Sequence, residues 1–159
     1  MRPTATEHDL PAELGELYAE EGSRLWRAVF AFSGDREIAS DAVAEAFAQC
    51  LRRGNEIRDP RAWVWRSSFR VAAGELKRRG RTTDLIPERS YEMTHDAAHL
   101  LDALAHLSPT QRAVLVLRYY VGEPTDRIAR LLGMSRATVR VHLSRGRKRL
   151  ALFLEEDDD

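Results

Sequence analysis

The sequence predicts an all-α protein: two small helical domains joined by a flexible linker, the second domain a helix-turn-helix. Three observations lead there. Apolar residues recur at helical spacing almost from end to end. No run alternates apolar and polar residues with turn chemistry on both sides, as a strand would. Residues 125–150, TDRIARLLGMSRATVRVHLSRGRKRL, join two amphipathic stretches through one glycine.

Each element has its own signal. Leu14, Leu17, Tyr18, Leu25, Trp26, Val29 and Phe30 mark a first helix or pair of helices, broken at Ser33, Gly34 and Asp35. Ile38, Ala42, Ala46, Phe47 and Cys50 keep helical spacing in a second, ended by Arg53, Gly54 and Asn55. Asp59 is placed to cap a third helix with Pro60 at its first position, running to about Arg79. Gly80 through Asp96 is polar and aperiodic, carries Pro87, and reads as linker. Leu100, Leu101, Leu104 and Leu107 predict a short helix. Ser108 and Pro109 start another, with Ala113, Val114, Leu117 and Val121 inside, and Gly122, Glu123 and Pro124 lead into the helix-turn-helix. The expected division is a first domain over 10–80, a linker over 81–98, a second domain over 99–152 and an acidic tail over 153–159. The run Glu155 to Asp159 is expected to be disordered, because consecutive acids cannot build a core.

In the helix-turn-helix, Ile128, Leu131 and Leu132 form the apolar face of the first helix, Gly133 permits the turn and Ser135 is placed as N-cap. Val139, Leu143, Gly146 and Leu150 follow inward spacing, while Arg136, Arg140, Ser144 and Arg147 fall on an adjoining face. Such a helix fits the major groove, where arginine reads guanine with two hydrogen bonds.

The formal net charge is zero, with 25 basic and 25 acidic residues, which alone argues against a nucleic-acid partner. The zero conceals blocks: residues 52–81 and 125–150 are strongly basic, and the segments around them are acidic. Screening confines each field to ~10 Å at moderate salt, so a polyanion feels the local patches. Between Pro60 and Arg79, Trp63, Arg66, Ser67, Arg70, Gly74 and Lys77 share one side of a helical wheel; Ala62, Trp65, Phe69, Ala72 and Leu76 share the other and are the expected core face. Cations beside an indole suit single-stranded or melting DNA, since an unpaired base can stack on the ring. The alternative is that Trp63 packs on the preceding loop and the charges are merely solvated.

The acidic-apolar helix DREIASDAVAEAFAQCLRR, followed by DPRAWVWRSSFRVAAGELKRR, resembles the first conserved domain of the extracytoplasmic-function (group 4) RNA polymerase sigma factors, in the sigma-70 family. LLDALAHLSPTQRAVLVLRYYVGEPTDRIARLLGMSRATVRVHLSRGRKRL resembles their second, and the two cover most of the chain in the family's order. The resemblance implies a non-catalytic subunit that binds core RNA polymerase, directs it to a bipartite promoter and helps open the DNA. It implies that Asp41, Glu45 and Gln49 meet the polymerase, and that Trp63, Arg66, Arg70 and Lys77 serve −10 recognition and melting. Arg136, Thr138 and Arg140 would read −35 bases, and Arg145, Arg147, Lys148 and Arg149 would meet phosphates. Three departures bear on promoter preference. Arg70 stands where many members carry an asparagine that helps hold a flipped base, and arginine cannot accept a hydrogen bond. His142 replaces a commonly basic side chain. Pro124 stands where a serine cap is common, so that either Thr125 caps one residue later or Pro124 is itself the first helical residue.

Other chemistry is thin. His95, His99 and His106 lie close in sequence, but four well-spaced ligands are not evident, so no metal and no cofactor is expected. The single cysteine, Cys50, excludes an internal disulfide and suits a reducing cytoplasm. No aliphatic run is long enough for a membrane segment, and the acidic start does not read as a signal peptide. The expected partners are core polymerase, promoter DNA and an anti-sigma factor. Two competing readings are a stand-alone repressor or activator, which would normally dimerise, and a sigma-like decoy that sequesters a protein partner.

Overall fold

The computed structural model describes residues 9–79 and 95–156, and among these every regular element is helical. Helix α1 spans Leu10–Ser33 as one continuous helix. The Asp9 carboxylate accepts the Ala12 N–H at 3.3 Å to start it, and Gly34, at φ 70°, ends it. Asp35 caps α2 (Arg36–Arg53) by accepting the Ile38 N–H at 3.0 Å, and a 3-10 turn over Gly54–Glu56 follows. Asp59 caps α3 (Pro60–Arg79) through the Ala62 N–H at 3.1 Å, with Pro60 first in the helix.

The second group begins with α4 (His95–Ala105), so residues 95–98 of the expected linker are helical; its residues 81–94 lie outside the described residues. Leu107 is buried just beyond the end of α4. Ser108 and Gln111 form a reciprocal capping box at the start of α5 (Pro109–Leu115). The helix then widens into a π-helical turn over Val116–Val121 that closes at Gly122, φ 84°. Helix α6 spans Thr125–Leu132 and α7 spans Arg136–Glu156.

Two expectations change here. Pro124 is neither helical nor replaced as cap by Thr125: it occupies the cap position itself at ψ 158°, and its carbonyl accepts the Ile128 N–H at 3.0 Å without any side-chain cap. The acidic tail does not begin where expected either, because α7 continues through Glu156. Phe153 stacks on His106 with ring centroids 4.2 Å apart, which anchors the last turns and makes Glu155 helical. Residues 157–159 of the expected disordered run lie outside the described residues.

Helices α1, α2 and α3 pack on Leu25, Val29, Phe32, Ile38, Ala46, Val64, Trp65 and Phe69, all buried. Helices α5, α6 and α7 pack on Val114, Leu117, Ile128, Leu131, Val139 and Leu143. The groups touch where α1 meets α5 and the π-helical turn, and where α3 meets α6, so the buried residues form one continuous cluster. Close approach of α5 and α7 depends on Gly146. A Cβ there would lie 3.1 Å from Leu115 Cδ1 and 3.5 Å from Gln111 Cβ. Gly146→Leu is therefore expected to overpack this contact and cost about 1–3 kcal/mol. Thermal unfolding checks it; an unchanged midpoint would mean that the two helices can part without loss.

Candidate nucleic-acid interface

The turn before α7 is built as its residues require. Gly133 sits at φ 67°, a conformation that costs a side-chain-bearing residue about 1–2 kcal/mol. Ser135 Oγ accepts the Thr138 N–H at 3.1 Å and lies 2.8 Å from the Thr138 hydroxyl. Thr138 is thus exposed, but its hydroxyl already has a partner. Val139, Leu143 and Gly146 face inward, with Leu150 half-buried against the core. Arg136 and Arg140 are exposed on the first turns, and Arg145, Arg147, Lys148 and Arg149 on later ones. Arg147 differs from its neighbours: it donates to Tyr119 Oη at 2.8 Å and lines a groove of about 410 Å³ with Phe30, Leu101, Leu104, Leu115 and Leu150. His142 is half-buried, with Nδ1 inside and without a hydrogen-bond partner.

Helix α3 takes its orientation from Trp65. The indole is 2 % exposed, and its N–H donates to Glu21 Oε2 on α1 at 2.9 Å. Phe69, Ala72 and Leu76 are buried with it, while Arg66, Arg70 and Lys77 are exposed. Ser67 corrects the expected stripe: it is buried, because α3 packs against α1, α2 and α6, and its buried sector is wider than one core face. Arg70 Nη2 lies 3.4 Å from Ser67 Oγ. Trp63 is half-buried against the core, with the Arg53 guanidinium 5.9 Å from its ring centroid. Arg66 reaches across to the helix-turn-helix, where a Cβ on Gly133 would lie 3.3 Å from its Nη1.

On α2, Asp41 is exposed, whereas Glu45 and Gln49 are half-buried and bonded to each other at 2.8 Å. Arg52 also donates to Glu45, at 3.1 Å. The hydrogen bond from Gln49, with that from Arg52, holds the Glu45 carboxyl below its ordinary pKa.

Three charged residues escaped the sequence reading. Glu21 falls four residues from both Leu17 and Leu25, so an acid on the apolar face of α1 was a readable signal. Arg61 donates to its Oε1 at 2.6 Å, opposite the bond from Trp65. Burial alone would raise the Glu21 carboxyl, but these hydrogen bonds and the charges of Arg61 and Arg24 outweigh it and hold the pKa below 4.5. Glu123, between a glycine and a proline, gave no periodic signal, yet it is buried. It pairs with Arg127 at 3.3 Å and with two arginines of the first helical group, Arg24 at 3.7 Å and Arg61 at 4.0 Å. Arg112 on α5 is buried, with its guanidinium 4.8 Å from the ring centroid of Phe32 on α1. Burial pushes its pKa down to about 10, and its Nε has no hydrogen-bond partner.

A depressed carboxyl pKa contributes stability that is present above the unfolded value and lost as pH falls through the folded value. Glu21→Gln is therefore expected to melt lower than the wild type at neutral pH. The gap should shrink as pH drops below 4.5, where wild-type Glu21 becomes protonated. Melting curves across that range check it; a gap independent of pH would assign the loss to shape and not to charge.

The comparisons with known proteins fit this geometry. The family model described as Sigma-70, region 4 matches residues 98–150. The ECF RNA polymerase sigma factor SigL of Mycobacterium tuberculosis is 31% identical over 156 residues, covering 88% of this chain and 88% of SigL. CnrH, solved in complex with the cytosolic domain of CnrY, superposes with a TM-score of 0.70 at 25% identity, covering 91% of this chain and 88% of that one. The sigma factor RpoE of Bartonella quintana, solved with the anti-sigma factor NepR, shares the fold: TM-score 0.70, 19% identity, 92% of this chain and 97% of that one. The chain belongs to the ECF RNA polymerase sigma factors.

Proposed function

We propose that this protein is a promoter-reading subunit that binds core RNA polymerase and directs transcription initiation, working in the cytoplasm and without catalysis of its own. The observation that carries the reading is the row of cations on the exposed side of α7. Among the described residues, Arg136, Arg140, Arg145, Lys148 and Arg149 make no ion pair, and they follow a capped helix start and a glycine turn. Charges left unpaired beside a helix of major-groove width are available to bases and phosphates. Asp41, Glu45 and Gln49 are assigned to the polymerase, and Trp63, Arg66, Arg70 and Lys77 to the −10 region during melting. An anti-sigma partner belongs to the reading: RpoE, which shares the fold, is solved with one, and the apolar groove beside α1 offers a surface to a protein chain.

Run-off transcription with purified core enzyme tests this. A sigma factor gives promoter-specific transcripts. A repressor would bind duplex as a dimer without core, and a decoy would do neither.

Within that assay, Arg140→Ala is expected to lower affinity by about 1–3 kcal/mol and relax preference at one −35 base pair, as loss of a bidentate arginine contact does. Arg149→Ala should weaken all sequences alike and flatten the salt dependence. Equal losses on every sequence from both variants would contradict the division into base readers and phosphate binders.

Trp63→Ala is expected to spare −35 binding and impair strand opening, since stacking on an unpaired base is worth about 1–3 kcal/mol. Permanganate reactivity of promoter thymines reads this directly. Normal reactivity, with helicity retained, would make Trp63 a packing residue only.

A further inference from the structure

The π-helical turn brings a phenol against the basic helix. Tyr119 lies within Val116–Val121, is 60% exposed, and its Oη accepts a hydrogen bond from Arg147 Nη1 of α7 at 2.8 Å. A π turn closes its hydrogen bonds one residue later than an α turn, so side chains along it fall at angles that α-helical spacing would not give. Such turns are rare and occur frequently at functional sites.

The pairing uses only part of each partner. The phenol oxygen accepts from Arg147, and its own O–H makes no bond among the described residues. A guanidinium carries five N–H donors, and Arg147 makes no ion pair among the described residues. A full positive charge and a free O–H therefore stand side by side at an exposed position. The cation that donates to the phenol oxygen also polarises its O–H and makes it a better donor. An anion with two oxygens close together satisfies both groups at once, as a phosphate diester does.

The source of that anion follows from the helix. Arg147 shares a face with Arg136, Arg140 and Ser144 and lies 11 residues after Arg136. At a rise of about 1.5 Å per residue the two are ~16 Å apart along the axis. The major groove is only ~12 Å wide. With the first turns of α7 in the groove, Arg147 is carried past its edge to the flanking strand, where the backbone presents phosphates and not base edges.

We propose that Tyr119 is a further DNA-contacting residue: its hydroxyl and the Arg147 guanidinium bind one phosphate together at the edge of the −35 element. The π-helical turn sets the phenol there, so an element outside the helix-turn-helix completes the contact. This rests on the sigma-factor reading and extends it to a residue that the reading leaves unassigned.

The experiment uses the full chain assembled with core RNA polymerase, on a promoter duplex that the wild type transcribes, with affinity read by gel shift. Tyr119→Phe keeps the ring and removes only the hydroxyl. It should weaken binding about three- to tenfold on every −35 sequence, the size of one hydrogen bond. Because the phenol is neutral, the salt dependence should not change. Arg147→Met should weaken binding and also lower the salt slope by about 1. The double variant should lose much less than the product of the two single losses, since both groups serve one phosphate. Neutral methylphosphonates, placed one at a time along the −35 flank, locate it: the wild type should lose affinity at one position where both single variants are insensitive. A phenol that only braced α7 would weaken binding but leave the sensitivity at each phosphate as in the wild type. That result, an unchanged affinity in Tyr119→Phe, or losses that multiply in the double variant, overturns the shared contact and leaves the sigma-factor reading standing. Absence of promoter-specific transcripts from the wild type overturns both.

Discussion

The indole N–H of Trp65 must find a partner inside the protein, and that requirement organises the rest. An indole so deeply buried can bring its N–H with it only if an acceptor is supplied. The acceptor is Glu21 of α1, a carboxylate that could not itself be buried without a cation. Arg61, one turn before Trp65, supplies that cation, and its guanidinium also reaches Glu123 of the second helical group. One buried donor therefore draws in a chain of alternating charges from α1 through α3 to the loop before α6. The rotation of α3 is set by it. With Trp65 facing α1, Arg66, Arg70 and Lys77 are on the outside.

The same bookkeeping separates two basic patches that look alike in sequence. In residues 52–81, many cations have acids to hold: Arg52 with Glu45, Arg61 with Glu21, Arg78 with Glu75, and Arg79 with Asp35 and Glu75. Asp35 has two tasks, capping α2 and receiving Arg79 at 2.7 Å. On α7 the cations largely lack such partners among the described residues. Equal formal charge thus gives unequal availability. Within the 52–81 block the paired arginines hold α3 in place, whereas Arg66, Arg70 and Lys77 on its outer side make no ion pair among the described residues, like the exposed cations of α7.

The helices were legible because periodicity and caps agree. Asp59, Ser108 and Ser135 each accept the backbone N–H that their sequence position promised, and Asp35, read only as part of a break, caps α2 in the same way. The core face of α3 was legible for the same reason. Three things were not. The π-helical turn at Val116–Val121 leaves no mark in composition, since it changes only the number of residues per turn. Ser67 was placed outside because a helical wheel sees one core, and α3 has neighbours from both helical groups. Glu123 could not be found by any local rule. It sits between Gly122 and Pro124 in a connector, and its burial follows entirely from where a distant α1 and α3 come to lie.

That last point bears on how a sequence of zero net charge can serve a polyanion. The acids are not a uniform counterweight that weakens every cation equally. Those at Glu21, Asp35, Glu75 and Glu123 are bound to particular arginines at short range, where salt and distance matter less than geometry. Neutralisation is therefore local, and it falls on α3 and on the contact between the helical groups rather than on α7. An arginine held by a buried carboxylate is orienting structure; an arginine on the exposed side of α7 is not. The sequence places acids and bases in blocks, and the fold decides which blocks cancel. Glu123 cancels cations of both helical groups, Arg24 and Arg61 of the first and Arg127 of the second, so its charge goes to joining the groups rather than to weakening the exposed cations of α7.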